Sequence, residues 1–149
     1  MANKLAEQLY NVTVESFGAV CGLYPNPEAG TFSDLKPEFS VQLDFKGPLR
    51  GTLVMSSYGD LLSVMAEKMN EGEASLTDLQ KKDSLKEMAN IICGNILPYV
   101  DDPRAVFKIA APLESTHPEA LCQQASAQVV HAVFQTDQGR LDLHLILQP

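Results

Sequence analysis

The chain has 149 residues, 45% apolar and 20% charged, without a low-complexity run. That composition suits one folded domain over residues 1–149 rather than a disordered segment. Nineteen acidic against eleven basic side chains leave a net charge of −8, and no basic stripe interrupts the deficit, which argues against a nucleic-acid partner.

The first ten residues carry Lys4, Glu7 and Gln8, which break the apolar core a signal peptide needs. From 2 to 21, Leu5, Leu9, Val12, Phe17 and Val20 recur at helical spacing, and Gly22 offers a stop. Residues 24–30 (YPNPEAG) form a loop by composition. Phe39, Val41, Leu43 and Phe45 then alternate with polar residues as in a half-buried strand, and GTLVMS over 51–56 is its hairpin partner across Gly47-Pro48. Residues 58–70 resume helical spacing through Leu61, Leu62, Met65 and Met69. A further helix opens at Ser75, with Asp78 in the capping-box position, and either breaks near Lys81 or runs on toward Leu97. Pro98 should end or loosen it. A short strand over 106–110 leads into Pro112, and strands over 128–135 and 140–147 form a hairpin around Asp137-Gln138-Gly139. No segment approaches the roughly 18 uninterrupted apolar residues of a membrane span.

Helix, hairpin, helix, helix, strand, hairpin is a non-alternating order, so an α+β fold is expected, an antiparallel sheet with long helices on one face. A weak repeat adds symmetry. Glu15-Ser-Phe-Gly18-Ala-Val-Cys21-Gly22 lies over Glu87-Met-Ala-Asn90-Ile-Ile-Cys93-Gly94 without a gap, and each of these helices is later followed by a Gly-centred hairpin. A pseudo-twofold axis is the natural inference.

On a helical wheel of residues 83–97, Leu85, Met88, Ala89, Ile92 and Ile96 gather on one side. Asp83, Glu87, Asn90 and Gly94 gather on the other. Asn and Gly are poor choices for a solvated helix face, costing several tenths to about one kcal/mol each against Ala. Something other than helix stability selects them.

Asp83-x-x-x-Glu87-x-x-Asn90, with Gly94 after it and Pro112 downstream, resembles the CheC/CheX family of chemotaxis phosphatases. The family's pattern has 22 residues between the Asn and the Pro, and this chain has 21, a difference that falls in the loop around Asp101-Asp102-Pro103. The resemblance implies the pseudo-symmetric α+β fold. It also implies hydrolysis of the aspartyl phosphate on a CheY-like response-regulator receiver. Asn90 would orient the attacking water, and Glu87 would pair with the receiver's lysine. Asp83, Gly94 and Pro112 would contact the partner. The receiver would bring its own Mg²⁺, so no cofactor is expected here. The first copy of the motif keeps Glu15 but has Gly18 where Asn would stand. One active helix per chain follows, closer to CheX than to CheC, and CheX-like members are dimers. A cytoplasmic homodimer is therefore expected. The alternative is a module that docks a receiver, or serves in a flagellar-switch-type assembly, without hydrolysis.

Other residues are assigned to structure. The 137–139 turn sets His131 opposite His144, with Val130, Ala132 and Phe134 facing Leu141, Leu143 and Leu145 as the core side. The histidines fall on the far side beside Asp142, a polar sheet face rather than a metal site. Cys21, Cys93 and Cys122 form no CxxC or Cys/His cluster. Cys93 lacks a neighbouring base and is read as packing.

Overall fold

The computed structural model describes residues 2–29, 36–73, 75–123 and 127–148. Gly30, read above as the end of a loop, lies outside them. The helical spacing at the start produces α1, Ala2–Cys21, with Leu9, Val12 and Phe17 buried. Gly22 closes it at φ +65°, donating to Gly18 O at 3.1 Å while Leu23 N donates to Phe17 O at 3.2 Å. A left-handed φ of that size is why glycine stands there.

The alternating segment forms β1, Phe39–Lys46, which pairs with β2, Arg50–Gly59. Helices α2, Leu61–Met69, and α3, Asp78–Val100, follow. Two short strands come next, β3 at Lys108–Ile109 and β4 at Leu113–Glu114, and then a five-residue helix α4, Pro118–Cys122. The chain closes with β5, Gln128–Gln135, and β6, Gly139–Gln148.

The strands make one antiparallel sheet in the order β3-β1-β2-β6-β5, with β4 also alongside β1. Ten-residue β2 and β6 lie side by side at the centre, each flanked outward by its own eight-residue hairpin partner. That outer-inner-inner-outer order is the pseudo-twofold arrangement that the repeat implied. Helix α1 packs on β5 and α3 on β1, and the two touch between them. The core lies between these helices and the inward row of each strand, where Phe17 stacks on Phe134 at 4.5 Å between centroids.

Several boundaries differ from the sequence reading. Tyr58 and Gly59 belong to β2 rather than to the following helix, because Tyr58 pairs with Arg140 and Gly59 with Gly139 across the sheet. Helix α3 begins at Asp78, not Ser75. Thr77 is its N-cap, accepting from Gln80 N at 3.1 Å, while Gln80 Oε1 accepts from Thr77 N at 2.8 Å. The Thr77/Gln80 pair closes the capping box in both directions. No break occurs at Lys81, and α3 runs through Pro98 to Val100. Pro98 removes one hydrogen bond to the carbonyl of Gly94, an exposed residue, while Leu97 is buried and Val100 packs against the core beyond it. The expected strand over 106–110 is shorter, and its continuation β4 is new. Between β3 and β4, residues 110–112 oppose only Leu43 and Asp44, a bulge that contains Pro112.

Candidate functional site

Helix α3 separates its residues as the wheel predicts. Leu85, Met88, Ala89, Ile92, Cys93 and Ile96 are at most 1% exposed, whereas Asp83, Glu87, Asn90 and Gly94 are all exposed. These four rise along one line, spanning about 16 Å at 1.5 Å per residue. Among the described residues, the side chains of Asp83, Glu87 and Asn90 make no hydrogen bond or ion pair with this chain. A methyl group added at Gly94 would meet nothing within 4 Å. Internal packing therefore demands none of the four, and the polar line is free for another molecule.

Neighbouring elements frame this line. Lys82 lies 5.2 Å from the Phe39 ring centroid and 3.9 Å from Glu114 Oε1, tying β4 to the first half of α3. Pro112 is half-buried in the bulge between β3 and β4. Past Gly94 the line ends at a notch of about 210 Å³, walled by Leu97 and Pro98 on the helix and by Pro103, Ala105, Phe107 and Ile109 opposite. Sequence reasoning missed this notch, because its second wall arrives from a loop whose path no periodicity reveals.

The sister helix differs. Glu15 on α1 is exposed, but the Tyr24 ring lies over Gly18, its Cε1 3.3 Å from where a Cβ would stand. The loop carrying Tyr24 is held to the far hairpin: Asn26 N donates to Gln135 O at 2.7 Å, and Asn26 Nδ2 to Asp137 Oδ1 at 2.6 Å. The first copy thus lacks its amide and has an aromatic ring across the vacant position.

On the opposite face of the sheet His131 and His144 pair in the predicted register, with rings stacked at 4.4 Å and 12°. Asp142 is bound to Arg140 (Nε to Oδ1, 2.8 Å), whose guanidinium covers the Tyr58 ring. Burial, then the proximity of His131, holds the His144 imidazole below its usual range, against an opposing pull from Asp142. Among the described residues, no three or more His, Cys, Asp and Glu gather as metal ligands would. Burial pushes the Cys93 thiol up to about 12 and that of Cys21 up to about 11, so neither is a nucleophile at neutral pH. Among the described residues no helix is long and apolar enough to cross a membrane.

Solved structures with this fold cover nearly the whole chain. A chemotaxis protein CheX from Desulfovibrio desulfuricans matches at a TM-score of 0.74 and 15% identity, over 97% of this chain and 99% of its own. A CheX from Vibrio vulnificus matches at 0.75 and 12%, over 99% of each chain. A CheX from Borrelia burgdorferi, solved in a complex with CheY, BeF3 and Mg²⁺, matches at 0.68 and 16%, over 96% of this chain and 97% of that one. A search of curated proteins finds no match. At sequence level, the family model described as "Chemotaxis phosphatase CheX" matches residues 39–135, about two thirds of the chain. On that match, and with the fold in agreement, the chain belongs to the CheX family of chemotaxis phosphatases.

Proposed function

We propose that this chain hydrolyses the aspartyl phosphate of a CheY-like receiver by laying the polar line of α3 against the phosphorylation site. The observation that carries the reading is the unengaged row of Glu87, Asn90 and Gly94 opposite the core of one helix. The Borrelia CheX, similar in fold, is a protein solved with CheY, BeF3 and Mg²⁺, which supports a receiver as the partner here.

Phosphoryl transfer depends chiefly on positioning and charge stabilisation. The Asn90 carboxamide offers an acceptor and two donors without a charge to repel the phosphoryl group, and it does not titrate. Its oxygen accepts from the water and aims it in line at phosphorus. The new bond joins water oxygen to phosphorus. The bond from phosphorus to the aspartyl oxygen breaks, freeing the carboxylate, and the proton of water leaves with inorganic phosphate. Glu87, one turn earlier, pairs with the receiver's lysine and sets the register of the helix. Asp83 extends the contact toward the N-terminal end, and Gly94 lets the partner's backbone approach. Pro112, held in the bulge on the neighbouring edge, supports the same face. The receiver supplies Mg²⁺, which screens the phosphoryl oxygens, so the chain needs no cofactor of its own. Family resemblance is also the ground for reading the protein as a cytoplasmic homodimer.

The test is loss of acyl phosphate from phosphorylated receivers encoded beside this protein. Asn90→Ala should slow it about 100-fold, the scale of losing a positioning group. Activity equal to wild type would remove Asn90 from the mechanism. Tight receiver binding by the wild type without accelerated phosphate loss would instead select the non-catalytic docking module.

A further inference from the structure

We infer that the notch beyond Gly94 is a specificity pocket that takes one apolar side chain of the docked receiver, presented beside its phosphorylation site. The inference rests on the proposed phosphatase reading and extends it from the chemistry to the choice of partner.

Three observations lead to it. First, the notch continues the polar line of α3 without interruption, since Gly94 belongs to both. A partner lying on Glu87 and Asn90 reaches it within one further helical turn. Gly94 is also the reason it is open on that side: its missing side chain faces empty space. Glycine within a helix costs about 1 kcal/mol against alanine, and this chain gains no packing from it.

Second, every wall residue is apolar or glycine, so no side chain of the notch offers a hydrogen bond or a charge to a ligand. The wall side chains favour an apolar occupant, with backbone oxygens as the polar surface that remains. One of the wall residues, Ile109, is itself 39% exposed. A volume of about 210 Å³ suits one side chain rather than a helix or a metabolite.

Third, the notch is built before any partner arrives. Pro98 and Pro103 fix two of its walls. The turn leading to the outer wall is locked by Asp101 Oδ1 accepting from Asp102 N at 2.6 Å and by Asp102 Oδ1 accepting from Arg104 N at 2.8 Å. The Phe107 ring packs edge-on against Phe45 at 5.8 Å, anchoring that wall to the sheet. A preformed pocket loses little entropy when it is filled, which favours affinity.

The test compares Ile109→Glu, which sets a charge at the rim, and Ala105→Phe, which fills the notch, with Val133→Glu as control. Val133 has the same 39% exposure as Ile109 but lies on the opposite edge strand. Steady-state hydrolysis is followed with a receiver phosphorylated by acetyl phosphate, and circular dichroism checks folding. Ile109→Glu and Ala105→Phe should each raise KM about tenfold or more, the scale of one buried aliphatic side chain. Their kcat should stay within twofold, and Val133→Glu should change neither. If wild type turns over and both notch variants keep its KM, the pocket is refuted while the phosphatase reading stands. A fall in kcat at constant KM would equally refute it. If wild type binds the receiver without turnover, the phosphatase reading fails, and the same shift in Kd tests the pocket. Should the receiver neither bind nor be hydrolysed, both fail.

Discussion

Replacing Gly94 with alanine should make the protein more stable and a worse enzyme. Gly94 lies six residues before the end of α3 and is not among the glycines with positive φ, so alanine adopts its backbone without strain. The new methyl group meets nothing within 4 Å. The gain is therefore the helix-propensity difference, about 0.8–1 kcal/mol, which for a chain of this size raises Tm by roughly 2–4 °C. Gly51 shows the contrast: a methyl group there would collide with the Phe45 ring and the Ile146 carbonyl, so the same substitution must destabilise. In the phosphatase assay, Gly94→Ala should raise KM several-fold if, as proposed, the added carbon stands where the receiver's backbone approaches, at the mouth of the notch. Thermal denaturation and steady-state kinetics on one preparation decide the matter. A destabilised variant would show that Gly94 answers to the fold. A stabilised variant with unchanged KM would show that no partner comes close to it.

His144 predicts a pH dependence of stability. Its imidazole is held below the usual range in the folded state, by burial first and by His131 second, so the unfolded chain binds more protons between the folded value and about 6.5. Stability is complete above that window and falls with pH through it. Tm should drop between pH 7.5 and pH 5, and a smaller drop in His144→Gln is the expected signature; an equal drop would place the effect elsewhere. On the sister helix, Gly18→Asn in an Asn90→Ala background should restore no more than twofold activity, since the Tyr24 ring lies against that position. Recovery of wild-type rate would show that the first copy of the motif is accessible.

The chemistry of this chain was more legible than its connections. One helix contains both poles of the site pattern, so spacing alone could assign Leu85, Met88, Ile92 and Ile96 to the core and Glu87, Asn90 and Gly94 to solvent. The His131–His144 register followed from one turn, because the two residues Asp137 and Gln138 between the Thr136–Gly139 pair fix every pair beyond it. Where two segments distant in sequence decide the outcome, local reading failed. Tyr58 alone fits a helix start, and it stays in the sheet because Arg140 and Gly139 face it and its neighbour across the strands. Pro98 reads as a helix end, yet Leu97 and Val100 hold a further turn against the core. The bulge around Pro112 and the position of Tyr24 depend on strands and turns more than 60 residues away in the chain.

The pseudo-symmetry gives a physical account of the proposed single active helix per chain. Two related halves offer two helix faces, and a solvent-exposed Asn or Gly lowers the stability of whichever helix bears it. On α1 the exposed Glu15 remains, but Gly18 carries no amide, and the Tyr24 ring covers the gap it leaves. The ring recovers contact area that the glycine forfeits. On α3 the corresponding face is left uncovered along about 16 Å, and the methyl-sized space at Gly94 stays empty. A fold that had only its own stability to satisfy would have treated the two halves alike. The half that keeps its face open is the half with the amide, as the proposed use of Asn90 and Gly94 requires.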